Sequence, residues 1–276
     1  MTFDELQIKV YNIISRSPIG SIGRLISYKP PNIILAYHGI HTSHPYCLNP
    51  ELFKEHMTYL KDNYEIVAMK DITRINGTKI KPKITISFDD AYANLIEHAL
   101  QVLFDYKIPA IIYAPTYYLG KQNNWDEGYM EPLMPIMTAK DLKMMSVMGF
   151  DIGSHTHTHI RLKGQNLFSL RREIVDSKKI LEDIVQEPIE SFAYPHGGRG
   201  DIDDNAVEIV KEAGYSSAVT TYFGRYNYAY NRYQLRRIII WPSDDLNVFK
   251  LKVKGYYDWL IPKEIMINCI KTHIER

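Results

Sequence analysis

From residue 32 onward, short apolar runs of strand length alternate with segments of helical period, and this rhythm is what most restricts the chain. The runs at 32–37 (NIILAY), 83–88 (KITISF) and 110–114 (AIIYA) are apolar almost throughout, as strands buried on both faces are. Shorter runs at 65–69, 150–153, 191–194, 216–220 and 235–240 read as further strands. Between them the spacing predicts helices over 50–61, 92–106 and 203–213. Leu167, Leu170, Ile174, Leu181 and Ile184 mark one face of a longer helix. Thr138 with Asp141 reads as a capping-box start and Gly149 as a stop. Residues 115–136, rich in proline, glycine and aromatics, interrupt the rhythm as an inserted loop.

Strand then helix, repeated six or more times, requires parallel strands joined by crossover helices. The fold class is therefore α/β, and a closed barrel or an open doubly wound sheet satisfies the pattern equally. No glycine-rich phosphate loop follows the first strand, which argues against dinucleotide binding. In a barrel, chemistry belongs on the loops at the C-terminal ends of the strands.

Charge narrows the function classes. With 33 basic and 32 acidic residues the net charge is +1, and no basic run could track a phosphate backbone, so nucleic acid is not an expected partner. The two cysteines, Cys47 and Cys269, have no metal-type spacing. No stretch reaches the roughly 20 apolar residues of a spanning helix, and the first residues lack a signal-peptide core, so the expected location is cytoplasmic. Residues 3–26 carry Phe3, Leu6, Val10, Ile13, Ile14, Ile22, Leu25 and Ile26 with Lys9, Arg16 and Arg24 between them. Such a segment is either a helix packed on the barrel or a peripheral membrane contact. The expected organisation is an N-terminal helical extension over 1–31, a main domain over 32–242 and a C-terminal helical segment over 243–276.

Three polar clusters stand at strand ends. The first is Ser87-Phe88-Asp89-Asp90. Adjacent carboxylates after an apolar strand repel and lose hydration unless a cation compensates; a helix cap on a solvated turn is the plainer alternative. The second is His155-Thr156-His157-Thr158-His159. His155 and His159, spaced i, i+4, would share one face of a helical turn and suit a zinc-like ion. His155 with His157 on a strand face is the rival pairing. The third is Ala193-Tyr194-Pro195-His196-Gly197-Gly198, a fixed turn able to aim backbone N–H groups into a cleft.

In this order the clusters resemble those of the polysaccharide deacetylase family, the NodB-homology domain of carbohydrate esterase family 4 type. Ser87-Phe88-Asp89-Asp90-Ala91 is similar to its T/S-F-D-D-G motif, His155 to His159 match H-S/T-x-x-H, and 193–196 fall on R-x-P-Y/F. Tyr37-His38-Gly39-Ile40 resembles an early Y-H pair of one branch. The resemblance runs over 32–242 and implies a distorted (β/α) barrel. It further implies Asp90, His155 and His159 as ligands of one divalent ion, most simply Zn2+, and Asp89 as general base. The backbone N–H of His196 would serve as oxyanion donor, with Tyr37, Tyr194 and Pro195 near substrate. The implied reaction is hydrolytic removal of an N-acetyl group from an amino sugar, in a polysaccharide or in a lipid- or nucleotide-linked precursor. A deformylase of an amino sugar and a non-catalytic carbohydrate-binding relative are the alternatives.

Four departures set further expectations, one being that His196 stands where tyrosine or phenylalanine is usual. Ala91 replaces a glycine. Ala193 stands in place of the arginine that orients the base, so Asp89 needs another partner. Leu235-Arg236-Arg237 stands where L-x-H is expected, which leaves His196 or His38 to supply the proton and Arg237 or Arg236 to read an anionic substrate group. The tyrosines at 222, 226, 228, 230 and 233 either stack on sugar or simply fill a packed loop.

Overall fold

A computed structural model describes residues 3–17, 31–73, 82–228 and 231–262. Eight strands form one parallel sheet: β1 (Asn32–Tyr37), β2 (Glu65–Ile66), β3 (Lys83–Phe88), β4 (Ala110–Ala114), β5 (Asp151–Ser154), β6 (Ser191–Ala193), β7 (Ser217–Phe223) and β8 (Leu235–Ile239). Their order is β1-β8-β7-β6-β5-β4-β3-β2, and β1 also pairs with β3 over its full length, from Asn32↔Lys83 to Tyr37↔Phe88. That last pairing closes seven strands into a barrel and leaves β2 outside the ring as a short flange on β3. The open-sheet alternative is thereby excluded.

The two-residue alternation of strands sorts the side chains. Ile34, Ile111, Tyr113, Ala193, Val219 and Leu235 form a small buried cluster separate from the main one, the filling of the barrel. Ile33, Leu35, Ile84, Ile86, Phe88 and Ile112 belong to the larger cluster, which the helices cover from outside. The helix over Pro50–Asn63 starts where expected, with Asn49 capping Glu51 N–H and proline in the first turn. Thr138 and Asp141 form the capping box of the helix Ala139–Val147.

Some expectations are corrected. Only Glu65–Ile66 of 65–69 is strand, and Met69–Asp71 forms a 3-10 turn. The helix expected over 92–106 is two helices, Asn94–His98 and Leu100–Tyr106, meeting at Ala99. The long helix begins at Leu167, but Leu167 is 57% exposed, and a π turn over Arg172–Asp176 separates Leu167–Arg171 from Ser177–Val185.

At the N-terminus, the helix Phe3–Ser15 sets Tyr11 edge-on against Trp259 and accepts the Trp259 indole N–H at Ser15 Oγ, while Val10 and Ile13 face outward. Residues 18–26 of the amphipathic segment, Tyr230 and Cys269 lie outside the described residues. Cys47 is free and buried. Among the described residues no helix is long and apolar enough to cross a membrane.

One outer contact titrates. The helix Leu246–Lys254 lays Phe249 flat on His56, with ring centroids 3.7 Å apart. His56 is fully buried; the Tyr37 hydroxyl lies 3.3 Å from its Nδ1, and its Nε2 has no partner. Burial, with Lys252 nearby, pushes its imidazole down to about 3. The unfolded chain therefore binds a proton that the folded one refuses between pH 6.5 and about 3, and stability falls as pH falls through that window. We expect His56→Asn to remove about one proton, ~1.4 kcal/mol per pH unit, from the slope of unfolding free energy there. Urea titrations at several pH values with identical slopes in both proteins would refute this.

Candidate active site

Everything chemical gathers at the C-terminal rim of the barrel. Asp89 and Asp90 leave β3, His155 leaves β5, Tyr194 to Gly198 follow β6, and Ile240 to Pro242 follow β8. These loops surround a cleft of about 230 Å3 bordered by His38, Asp89, Asp90, His155, His159 and His196. A larger hollow of about 820 Å3 opens at the strands' other ends, beside Asp151, Ser191 and Ser217, and none of the clustered histidines borders it.

Asp90, His155 and His159 are all buried, and one potential ligand atom from each lies within 4.8 Å of the others. His155 Nε2 and His159 Nε2 stand 3.4 and 3.2 Å from Asp90 Oδ1. That oxygen is buried without a hydrogen-bond partner. A buried carboxylate oxygen is seldom left so, and a cation among these three donors would satisfy it. The donor set of one carboxylate and two imidazoles, with room in the cleft for further ligands, fits a zinc-like divalent ion.

The backbone reaches this arrangement in an unexpected way. Residues 155–159 form no helical turn; Thr156 and His159 take left-handed φ values of 66° and 57°, and the His159 N–H donates to Thr156 Oγ1 at 3.0 Å. His155 donates from Nδ1 to the Ala193 carbonyl at 2.8 Å, which fixes its ring and directs Nε2 at Asp90. His157 turns away, its Nδ1 2.8 Å from Thr116 Oγ1, so the i, i+2 pairing is excluded. Asp90 and Ala91 are also left-handed, at 67° and 53°, the conformation that a glycine at position 91 adopts without strain.

Arg237 overturns its expected role. It is fully buried and cannot reach substrate. Its guanidinium forks onto Asp89, with both bonds 2.7 Å, while Nε donates to the Thr220 carbonyl at 2.8 Å. This is the partner that Asp89 needs in the absence of an arginine at position 193, supplied from β8. Burial alone would raise the Asp89 carboxyl, but Arg237 and then His155 more than offset it and hold it below the usual carboxylate range.

Other expected residues separate. Tyr194 is buried, and its hydroxyl donates to the Tyr233 carbonyl; neither it nor buried Pro195 borders the cleft. Tyr37 does border it, yet its ring packs on Phe53 and Phe88. Tyr222, Tyr226, Tyr228 and Tyr233 are buried or half-buried and absent from the cleft wall, so the tyrosine-rich loop is packed. The interrupting segment 115–136, in contrast, supplies Trp125, Asp126, Met130 and Met134 to that wall. Trp125 lies against the His159 ring at 4.3 Å. The one signal for it in the sequence is a tryptophan inside a polar loop.

A parallel (β/α) barrel carrying a buried Asp-His-His cluster beside an ionised aspartate is the class of protein that fold and site define. The family model for polysaccharide deacetylases matches residues 76–218, and the chain belongs to that family. A relative named for polysaccharide deacetylation, YxkH of Bacillus subtilis (strain 168), is 26% identical over 220 residues, 78% of this chain and 74% of its own. The poly-β-1,6-N-acetyl-D-glucosamine N-deacetylase of Staphylococcus aureus (strain MRSA252) is 24% identical over 212 residues, 72% of this chain and 69% of its own. The crystal structure of a polysaccharide deacetylase from Bacillus cereus superimposes with a TM-score of 0.66 at 25% identity, covering 83% of this chain and 70% of that one.

Removing one partner of a buried ion pair strands the other. Arg237→Met is expected to cost about 3–5 kcal/mol in urea unfolding. The half-buried neighbour, in Arg236→Met, should cost much less. Equal stability of the wild type and Arg237→Met would show that the pair does not hold the rim.

Proposed function

We propose that this chain is a metal-dependent hydrolase removing the N-acetyl group from an amino sugar, with Asp90, His155 and His159 holding one divalent ion, Zn2+ by its donor set. The observation that carries this reading is the convergence of those three side chains on a buried, partnerless carboxylate oxygen, beside a second carboxylate kept ionised. When bound, such an ion polarises an amide carbonyl and acidifies water. Asp89 serves as the base: Arg237 fixes both its oxygens and keeps it deprotonated, and each oxygen retains a lone pair for a proton from the attacking water.

The His196 N–H donates to no backbone carbonyl among the described residues and sits in a turn with φ 57°, which supports its role as donor to the developing oxyanion. Gly197 holds that turn. At φ 66°, a Cβ there would stand 2.9 Å from Thr221 N. For the proton given to the leaving amine, His38 is the better candidate. Desolvation, with His159 and Arg161 nearby, pushes the His196 imidazole down to about 4, so it is neutral near pH 7. His38 borders the same cleft at the end of β1. Similarity to the Staphylococcus aureus enzyme favours an N-acetylglucosamine polymer or oligomer as substrate.

The test is acetate release from β-1,6- and β-1,4-linked N-acetylglucosamine oligomers by ion-loaded protein, with Asp89→Asn alongside. We expect turnover in the wild type and a loss of about 10²–10⁴-fold in the variant. Formate released from N-formylated oligomers with no acetate from the N-acetylated ones, or sugar binding without turnover under every ion supplied, would overturn the reading. Ion content by mass spectrometry, retained in the wild type and lost in His155→Ala, checks the ligand set separately.

A further inference from the structure

The two histidines of the cluster are held in different ways. His155 follows β5 directly: its backbone N–H donates to the Ala114 carbonyl at 3.0 Å and its ring to that of Ala193, both barrel strands. His159 has no such anchor. Its Nδ1 is buried without a partner, and its N–H is taken by Thr156 within the same loop. Trp125 stacks on the His159 ring at 4.3 Å, and the position of the residue otherwise depends on the shape of 156–158, which two elements clamp. On one side the N–H groups of Thr116 and Tyr117 donate to the carbonyls of Thr156 and His157, at 3.2 and 2.8 Å. On the other, a single carboxylate takes the loop's donors. Glu173 Oε2 accepts from His157 N–H at 3.0 Å and Thr158 N–H at 2.7 Å, and Oε1 accepts from the Thr158 hydroxyl at 2.6 Å.

Glu173 is 4% exposed and does not border the cleft. A carboxylate that far inside is costly to desolvate unless charge-assisted hydrogen bonds compensate, and among the described residues its three donors all come from the ligand loop. It stands in a local widening of its helix. Glu173 and Ile174 are both buried in the π turn Arg172–Asp176. The Ile174 carbonyl there is satisfied by the Tyr215 hydroxyl at 2.9 Å and the Ser177 hydroxyl at 3.1 Å, so the wide turn is a built feature of the packing.

We infer that Glu173 is the positioning residue of the ion site, bolting the 156–158 segment so that His159 meets Asp90. The inference rests on the reading of Asp90, His155 and His159 as ion ligands. Glu173→Gln keeps the size but leaves only one good acceptor, and turns an amide N–H toward donors. Thr158→Val removes one of the three bonds and leaves the carboxylate.

The experiment measures Zn2+ affinity of the metal-free proteins by competition with a chromophoric chelator, together with their thermal melting. We expect Glu173→Gln to melt cooperatively yet bind the ion about 10–100-fold more weakly, and Thr158→Val to fall between it and the wild type. Wild-type binding with Glu173→Gln within threefold overturns the role of Glu173 alone. A wild type that takes up no ion overturns the ligand reading itself. Should Glu173→Gln fail to fold, Thr158→Val decides, and unchanged affinity there refutes the inference.

Discussion

Inside a closed barrel a charge has no water to turn to, and the Arg237–Asp89 pair is how this chain places two there. The guanidinium rises from β8, the carboxylate stands one residue beyond β3, and β1 runs between those strands, bonded to both. The Asp89 N–H is itself held by the Tyr37 carbonyl of β1 at 2.9 Å. The pair thus ties three neighbouring strands at the rim and makes the geometry of the base a property of the barrel's closure. A salt bridge so buried adds little net stability compared with an apolar pair of the same shape. What it supplies is a carboxylate that stays ionised and points one way.

Much of this was legible in the sequence, and the reasons are local. Strands buried on both faces read as apolar runs, so the barrel's components stood out at Asn32–Tyr37, Lys83–Phe88 and Ala110–Ala114. Asp90, His155 and His159 could be picked out because three histidines within five residues at a strand end have no packing explanation. The i, i+4 spacing pointed to the pair that the structure brings together, although the geometry inferred from it was wrong, since left-handed turns rather than a helix make the rings converge.

What was not legible depends on contacts distant in sequence. Arg237 and Asp89 are 148 residues apart, and Arg237 read as a substrate contact because a missing histidine drew attention to its motif position. Strand parity held the better clue. Leu235 faces the interior, so Arg237 does too; Asp89 keeps step with buried Thr85 and Ser87. Two opposite charges on one enclosed face must meet. The role of Glu173 was hidden for a related reason: a π turn leaves no mark in hydrophobic periodicity, and Glu173 looks like an ordinary surface residue of an amphipathic helix.

Among the described residues, five of the seven non-glycine residues with left-handed backbone, Asp90, Ala91, Thr156, His159 and His196, lie at the rim. Each carries a conformational cost on the order of 1 kcal/mol, so together they approach the whole net stability of an ordinary domain. The barrel below must therefore be more robust than it would need to be on its own. In evolutionary terms, the rim sets how much drift the barrel can tolerate, even at positions that never approach a substrate.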